Sequence, residues 1–287
     1  MIIQRVSRED IDKLKWDSCV HFATNGNIFG YKWYIDAITK DWEALIEGDY
    51  QSVLPLIWKK NWWGKKEVYL PTLMREVGIY SANALSQKRV EAFLNAIPSD
   101  YKKVLVEVDQ FTLFPQTVGW GMEKQHNYLA HMNEPYEQLA NKFSKRVQDD
   151  LDRARNNNLK SISSLKPEKI VDFYKEHDPS YTKENYYAYL RIMYNLLHRG
   201  WGFMSGIADE KGTLLAVNFL LFSHGRMVSF LPVVSKEGKS KGAMAQLFNL
   251  LFHTNANKQI ILDFNGNDRF LGYGETAVPV YRLTRKT

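Results

Sequence analysis

Apolar and polar positions along the chain fall into alternating period-two and period-3.6 stretches. Residues 1–6 (MIIQRV) read as a short strand, Ser7 to Asp10 as a helix-opening cap, and Ile11 to Ala23 as the helix it opens. A second helix is predicted near Tyr31 to Thr39. Three strand-like runs follow, 42–48 (WEALIEG), 51–60 (QSVLPLIWKK) and 66–71 (KEVYLP), the first two joined at Asp49-Tyr50 as a hairpin. Ser86 starts a helix with Val90, Phe93, Leu94 and Ile97 on one face, stopped at Pro98, and 103–108 (KVLVEV) closes the set as a strand.

The pattern then starts again. A strand at 127–132 (NYLAHM) precedes a long helix from Pro135 whose apolar stripe is Tyr136, Leu139, Ala140, Phe143, Val147, Leu151 and Ala154. Helices are predicted over Pro167 to His177 and over Lys183 to Arg199, the latter capped by Thr182 and ended at Gly200. Strands 201–209, 213–223 and 226–234 form an antiparallel meander through tight turns at Glu210-Lys211-Gly212 and His224-Gly225. A helix from Gly242 to His253 and strands 259–264 (QIILDF) and 278–283 (VPVYRL) complete the chain. Both halves thus read strand, helix, helix, three strands, helix, strand. The junction is expected between Gln110 and Gly121, where Pro115, Gly119 and Gly121 cluster, which gives domains 1–121 and 122–287.

Composition supports a folded chain: of 287 residues, 45% are hydrophobic and 14% aromatic against 24% charged, ample for a packed core. No apolar run reaches the roughly 18 residues of a membrane span, and the first residues lack the charged-then-apolar pattern of a secretion signal, so a cytoplasmic location is expected. The single cysteine, Cys19, has no intramolecular partner and reads as a small buried hydrophobe on its helix. A net charge of +6 points to a polyanionic partner: a coenzyme phosphate, tRNA or an anionic membrane surface.

The order of elements resembles the GNAT acyltransferase fold, and its doubling resembles the Fem-type (FemAB-like) peptidyltransferases and their acetyltransferase relatives. The segments that carry the likeness are 143–159 (FSKRVQDDLDRARNNNL), 262–268 (LDFNGND) and 270–283 (FLGYGETAVPVYRL) in the second half, and 27–38 (NIFGYKWYIDAI) and 70–80 (LPTLMREVGIY) in the first. The resemblance implies an α/β (α+β) chain of two tandem GNAT-like halves, each a mixed, mostly antiparallel sheet flanked by helices. It also implies an acyltransferase that draws on acyl-CoA or aminoacyl-tRNA without a metal. The first half would form the acceptor side and the second the donor side. The acceptor would be a small molecule or peptide-like amine, such as a cell-wall precursor, with tRNA and a peripheral membrane contact as further partners. Asn265 departs from the pattern, since many relatives carry an acid there, and Asn267 stands where many have serine.

Acyl transfer needs a pocket for the donor's anionic tail, a hydrogen-bond donor for the developing oxyanion and a route for the acceptor proton. For the tail, 233–248 (VVSKEGKSKGAMAQLF) leads lysines and small residues from a strand into a helix start, where orphan N–H groups and the dipole favour phosphate. This assigns Val233, Val234, Lys236, Lys239, Ser240, Lys241, Gly242 and Ala243 to the donor; the competing reading is a solvated lysine loop. In GNAT enzymes a strand bulge aims a backbone N–H at the acyl carbonyl. Pro232 must interrupt its ladder, which makes the Val234 N–H the candidate here. The titratable candidates are Asp263, Asp268, Tyr273 and Tyr281, with Asp263 either raised by burial or capping a turn. Arg146 and Arg153, seven apart on one helix face, are candidate anion contacts or, with Asp149, Asp150 and Asp152, members of a self-neutralising surface. Trp33, Tyr34 and Arg75 are the candidate acceptor contacts. No HExxH, nucleotide-binding glycine loop or GxSxG elbow occurs, so metal catalysis, nucleotide hydrolysis and serine hydrolysis lose support. The alternative from another class is a catalytically silent scaffold binding nucleic acid or protein.

Overall fold

Asp12 accepts hydrogen bonds from the backbone of Leu14 and Lys15, so the first helix begins one residue later, and the chain up to that cap is a strand and a 3-10 turn. The computed structural model describes residues 2–109, 112, 119–162 and 164–286. The expected junction therefore lies mostly outside the described residues. The chain divides into two compact units, Met1–His126 with Val278–Thr287, and Asn127–Ala277.

In the first unit the elements are β1 (Ile3–Ser7), α1 (Lys13–Phe22), α2 (Lys32–Ile38), β2 (Trp42–Glu47), β3 (Ser52–Lys60), β4 (Lys66–Val68), β5 (Tyr80–Ser81), α3 (Gln87–Ala96) and β6 (Lys103–Val108). Strands β1 to β4 form an antiparallel series, with β5 on β3, and β4 pairs β6 in parallel. The predicted hairpin closes with Glu47 opposite Ser52. Val90, Phe93 and Leu94 of α3, and Ile97 at its C-cap, are all buried against this sheet, as their spacing requires.

The second unit contains the end of β7 (Trp120–His131), then α4 (Tyr136–Asn141), α5 (Lys145–Asn156), β8 (Lys160–Ile162), α6 (Pro167–His177), α7 (Tyr186–His198), β9 (Gly202–Ala208), β10 (Leu214–Ser223), β11 (Arg226–Ser229), β12 (Val233–Val234), α8 (Lys236–Ser240), α9 (Ala243–Asn255) and β13 (Ile261–Asp263). The last strand, β14 (Thr276–Lys286), takes Tyr281 to Lys286 into the first unit, antiparallel to β6. Strands β8 to β11 form an antiparallel series with β12 on β10; β11 pairs β13 in parallel, and β13 pairs β7 antiparallel. In each unit the strands are thus mixed, mostly antiparallel and flanked by helices, with the same scheme of four antiparallel strands, one parallel pair and a further antiparallel strand.

Three local expectations are corrected. The long helix from Pro135 is two helices, because Ser144 takes an extended conformation, caps the second through the Val147 N–H and donates its own N–H to Gly272. Thr182 does not cap a helix: a 3-10 turn at Lys183–Asn185 precedes α7. The 127–132 strand does not open the second sheet. It lies beside β13, and the opening position next to β9 is held by β8, three residues too short and polar to register as a strand.

Candidate functional site

The second unit carries a cavity of about 780 Å³ where α5, α8 and the start of α9 converge on β12. The lysine-glycine segment assigned to the donor is wound: the Ser235 hydroxyl caps Gly238 at 2.9 Å and donates to the Leu215 carbonyl at 3.2 Å, folding Lys236–Ser240 into a helical turn. Gly242 then reverses the chain at φ 75° and starts α9. A side chain there would be strained, and its Cβ would overlap the Asp150 carbonyl oxygen of α5. Glycine is what lets α5 and α9 meet, and their meeting forms one wall of the cavity.

Within α9 the first intrahelical bond runs from the Gln246 N–H to the Gly242 carbonyl, 3.1 Å. The N–H groups of Ala243, Met244 and Ala245 are therefore the orphan donors of a helix start, and all three residues line the cavity. Lys236, Lys239 and Ser240 line it too, as do Arg146 and Arg153, so two turns of α5 and one of α8 place their cations around the same space. Arg153 pairs with Asp150, which offsets part of its charge, whereas the Arg146 guanidinium donates to the Leu271 carbonyl. Lys241 turns away into an ion pair with Glu237, whose hydrogen bond raises the ammonium's pKa, and is not part of the lining. Val233 is buried in the ladder.

The strand beside the cavity is bulged. Both the Phe230 and Leu231 N–H groups donate to the single Phe219 carbonyl, at 3.0 and 3.3 Å, two residues against one immediately before Pro232. Pairing resumes with Val233 opposite Val217 and Val234 opposite Ala216. Because the Ser235 N–H bonds the Leu215 carbonyl, the alternation of an antiparallel ladder turns the Val234 N–H away from β10. Val234 lines the cavity. The β11–β13 pairing runs from Arg226 to Val228, and the two residues of β12 pair with β10.

The titratable candidates do not gather here. Asp263 is buried, pairs with the Arg226 guanidinium, and accepts the Asn265 N–H at 2.7 Å in an Asx turn. Asn265 itself sits at φ 55°, a left-handed conformation that asparagine tolerates, and it keeps the turn polar without a charge. Asp268 is exposed and outside the lining. Tyr273 is 4% exposed, packed among Phe143, Phe248, Phe252 and Phe264, and burial drives its phenol far above the ordinary range. Tyr281 lies on β14 in the first unit. There Trp33 and Tyr34 are core residues, the Tyr34 hydroxyl donating to the Leu73 carbonyl at 2.7 Å, and Arg75 is half-buried.

Sequence reasoning missed Ser235, His177 and Arg269. Arg269 lines the cavity from the 267–270 turn and is held by Asp178, Nη1 to carboxylate oxygen 2.8 Å. Burial pushes the Asp178 carboxyl up, but hydrogen bonds from Ser180 and Arg269 outweigh it and hold the pKa below the ordinary value. The serine was legible as an N-cap; the Asp178–Arg269 pair spans 91 positions and carries no local signal. Among the described residues no cluster of three or more metal-type ligands occurs, and no helix is long and apolar enough to cross a membrane.

No protein-family model matches the sequence, and no curated protein matches it. Solved structures do. The chain is similar to FemX (TM-score 0.67, 11% identity, 98% of this chain and 97% of that one) and to L-PGS from Bacillus licheniformis (0.54, 11%, 96% and 92%). It is also similar to a tandem GNAT protein from the clavulanic acid biosynthesis pathway (0.54, 11%, 99% and 98%). The chain therefore has the FemAB-like GNAT fold, over nearly its whole length.

Proposed function

We propose that the protein is an acyltransferase that moves an acyl or aminoacyl group from acyl-CoA or aminoacyl-tRNA to an amine acceptor. The cavity around the start of α9 carries this reading: orphan N–H groups, Lys236, Lys239, Arg146 and Arg269 converge on one space, which suits the phosphates of a carrier. The carrier's reactive carbonyl would lie along β12, where the outward Val234 N–H stabilises the oxyanion as the amine attacks; collapse of that intermediate breaks the carrier's C–S or C–O bond and expels its thiolate or ribose oxygen, which takes a proton from water. With Asp263 committed to Arg226 and Tyr273 to the core, the amine proton leaves to water. The two units are read as tandem GNAT-like halves, the second holding the donor. The first is assigned the acceptor, a peptide-like or small amine such as a cell-wall precursor, with Arg75 as its remaining polar candidate.

The engagement of Asp263 and Tyr273 favours one second reading, a catalytically silent scaffold that binds nucleic acid or protein. Calorimetry with acetyl-CoA, a long-chain acyl-CoA and a charged tRNA separates the two. The transferase reading expects one donor to bind, and Lys239→Glu with Arg146→Glu to weaken it by about tenfold or more without lowering Tm. Binding by none of the three donors, together with salt-sensitive capture of uncharged RNA, establishes the scaffold instead.

A further inference from the structure

The hairpin joining β3 to β4 ends in Trp62 and Trp63, which are 93% and 78% exposed. Single exposed apolar residues are ordinary; two adjacent indoles at one apex are not. The apex is built to hold them. The Asn61 side chain accepts the N–H groups of Trp63 and Lys65, each at 3.0 Å, and the Asn61 N–H bonds the Lys65 carbonyl at 2.9 Å. Gly64 closes the turn at φ 70°, a conformation a three-residue hairpin loop needs at that place. The indoles are therefore presented by a stiff loop, and no ring contact is found for either among the described residues.

Behind them lie lysines on every strand end: Lys59 and Lys60 on β3, Lys65 and Lys66 entering β4, and Lys102 and Lys103 at the neighbouring β6, where the Lys102 N–H bonds the Lys66 carbonyl at 3.0 Å. Two of the ammoniums rest on rings at the hairpin base, Lys59 over Tyr69 at 4.9 Å and Lys66 over Trp58 at 4.0 Å. The acids nearby are fewer: Glu67 accepts from Asn61, Asp100 pairs with Arg5, and Asp41, whose carbonyl accepts the Trp58 N–H, lies at the hairpin base beside Tyr69.

We propose that this hairpin docks the protein on an anionic lipid bilayer, with Trp62 and Trp63 entering the interface and the lysines meeting lipid phosphates. Indole rings favour the headgroup boundary, and a basic cluster is drawn to anionic leaflets. Stable anchoring takes two signals together, and an apolar and a basic one are both present here. A single-stranded nucleic acid would instead want rings laid as a platform along a groove, whereas these stand at a turn. The inference is independent of the transfer reading and concerns the first unit alone.

The test mixes the full chain with sedimentable vesicles of phosphatidylcholine alone, or with about one third phosphatidylglycerol, at about 0.1 M salt. Pelleting with the anionic vesicles is expected, with tryptophan fluorescence quenched by lipids brominated on their acyl chains. Trp62→Ser with Trp63→Ser should abolish the quenching and weaken binding by about tenfold or more. Lys60→Gln and Lys65→Gln should each cost about fivefold. These positions are exposed, so an unchanged melting curve shows the variants fold. Absence of pelleting, pelleting indifferent to the tryptophan variant, or capture of single-stranded RNA lost in that variant without vesicle binding would each overturn the proposal.

Discussion

Asp263 and Arg226 form an ion pair between the adjacent parallel strands β13 and β11, two positions out of register, and the carboxylate is almost fully buried. Removing one partner of such a pair strands a charge in a poor solvent, so Asp263→Asn should destabilise the protein by about 3 kcal/mol in urea unfolding. A free general base would instead leave stability intact and abolish turnover. Gly242→Ala is expected to cost about 2 kcal/mol or more, since strain at positive φ adds to the overlap with Asp150; the same variant should weaken donor binding, read by calorimetry. Burial pushes the Cys19 thiol from its ordinary 9.0 up to about 11. The folded state thus prefers the neutral thiol, and this contribution to stability is complete below pH 9 and lost as pH rises toward 11. Alkylation of Cys19 at neutral pH should be slow in the native protein and fast in denaturant. Its role as a buried hydrophobe was legible from the WDSCVHFA pattern; the partners of Asp263 and Gly242 were not, because both contacts join distant segments.

At the scale of elements, periodicity located nearly every helix and strand with enough residues to show a period. It failed where a single polar residue redirects the backbone: Ser144 divides what reads as one apolar stripe, and Ser235 winds a lysine-rich stretch into α8. Ser235→Ala is expected to cost about 1 kcal/mol by thermal unfolding, through loss of the Gly238 cap. Donor affinity should fall with it, because α8 carries Lys236 and Lys239 to the cavity. The bulge at Phe230-Leu231 was foreshadowed by Pro232, which has no N–H to give the ladder. The alternation that turns the Val234 N–H off β10 needed the register of the partner strand.

For the whole molecule, β14 matters most. It belongs to the first unit through Val278 onward, where it covers β6 and brings Arg282 to within 2.8 Å of the fully buried Glu107. Deleting residues 278–287 should therefore strand Glu107 and remove the strand that lies between β6 and β7, lowering the first unit's stability by about 3 kcal/mol or more. Hydrogen exchange should show the loss in β6. The amino-acid pattern on its own determined the fold class, the hairpin of the first half and the meander of the second, the caps at Ser86 and Gly200, and the lysine-glycine segment as the place to look for an anion site. These are local: neighbours within a few residues fix them through hydrogen bonding and burial of one face. Tertiary structure alone decided that β8, not the 127–132 strand, opens the second sheet, that Arg146, Arg153 and Arg269 share the cavity with α9, and that Asp263 and Tyr273 are spent on an ion pair and a core. Those outcomes depend on which distant segments pack together, and no periodicity within a segment encodes its partner.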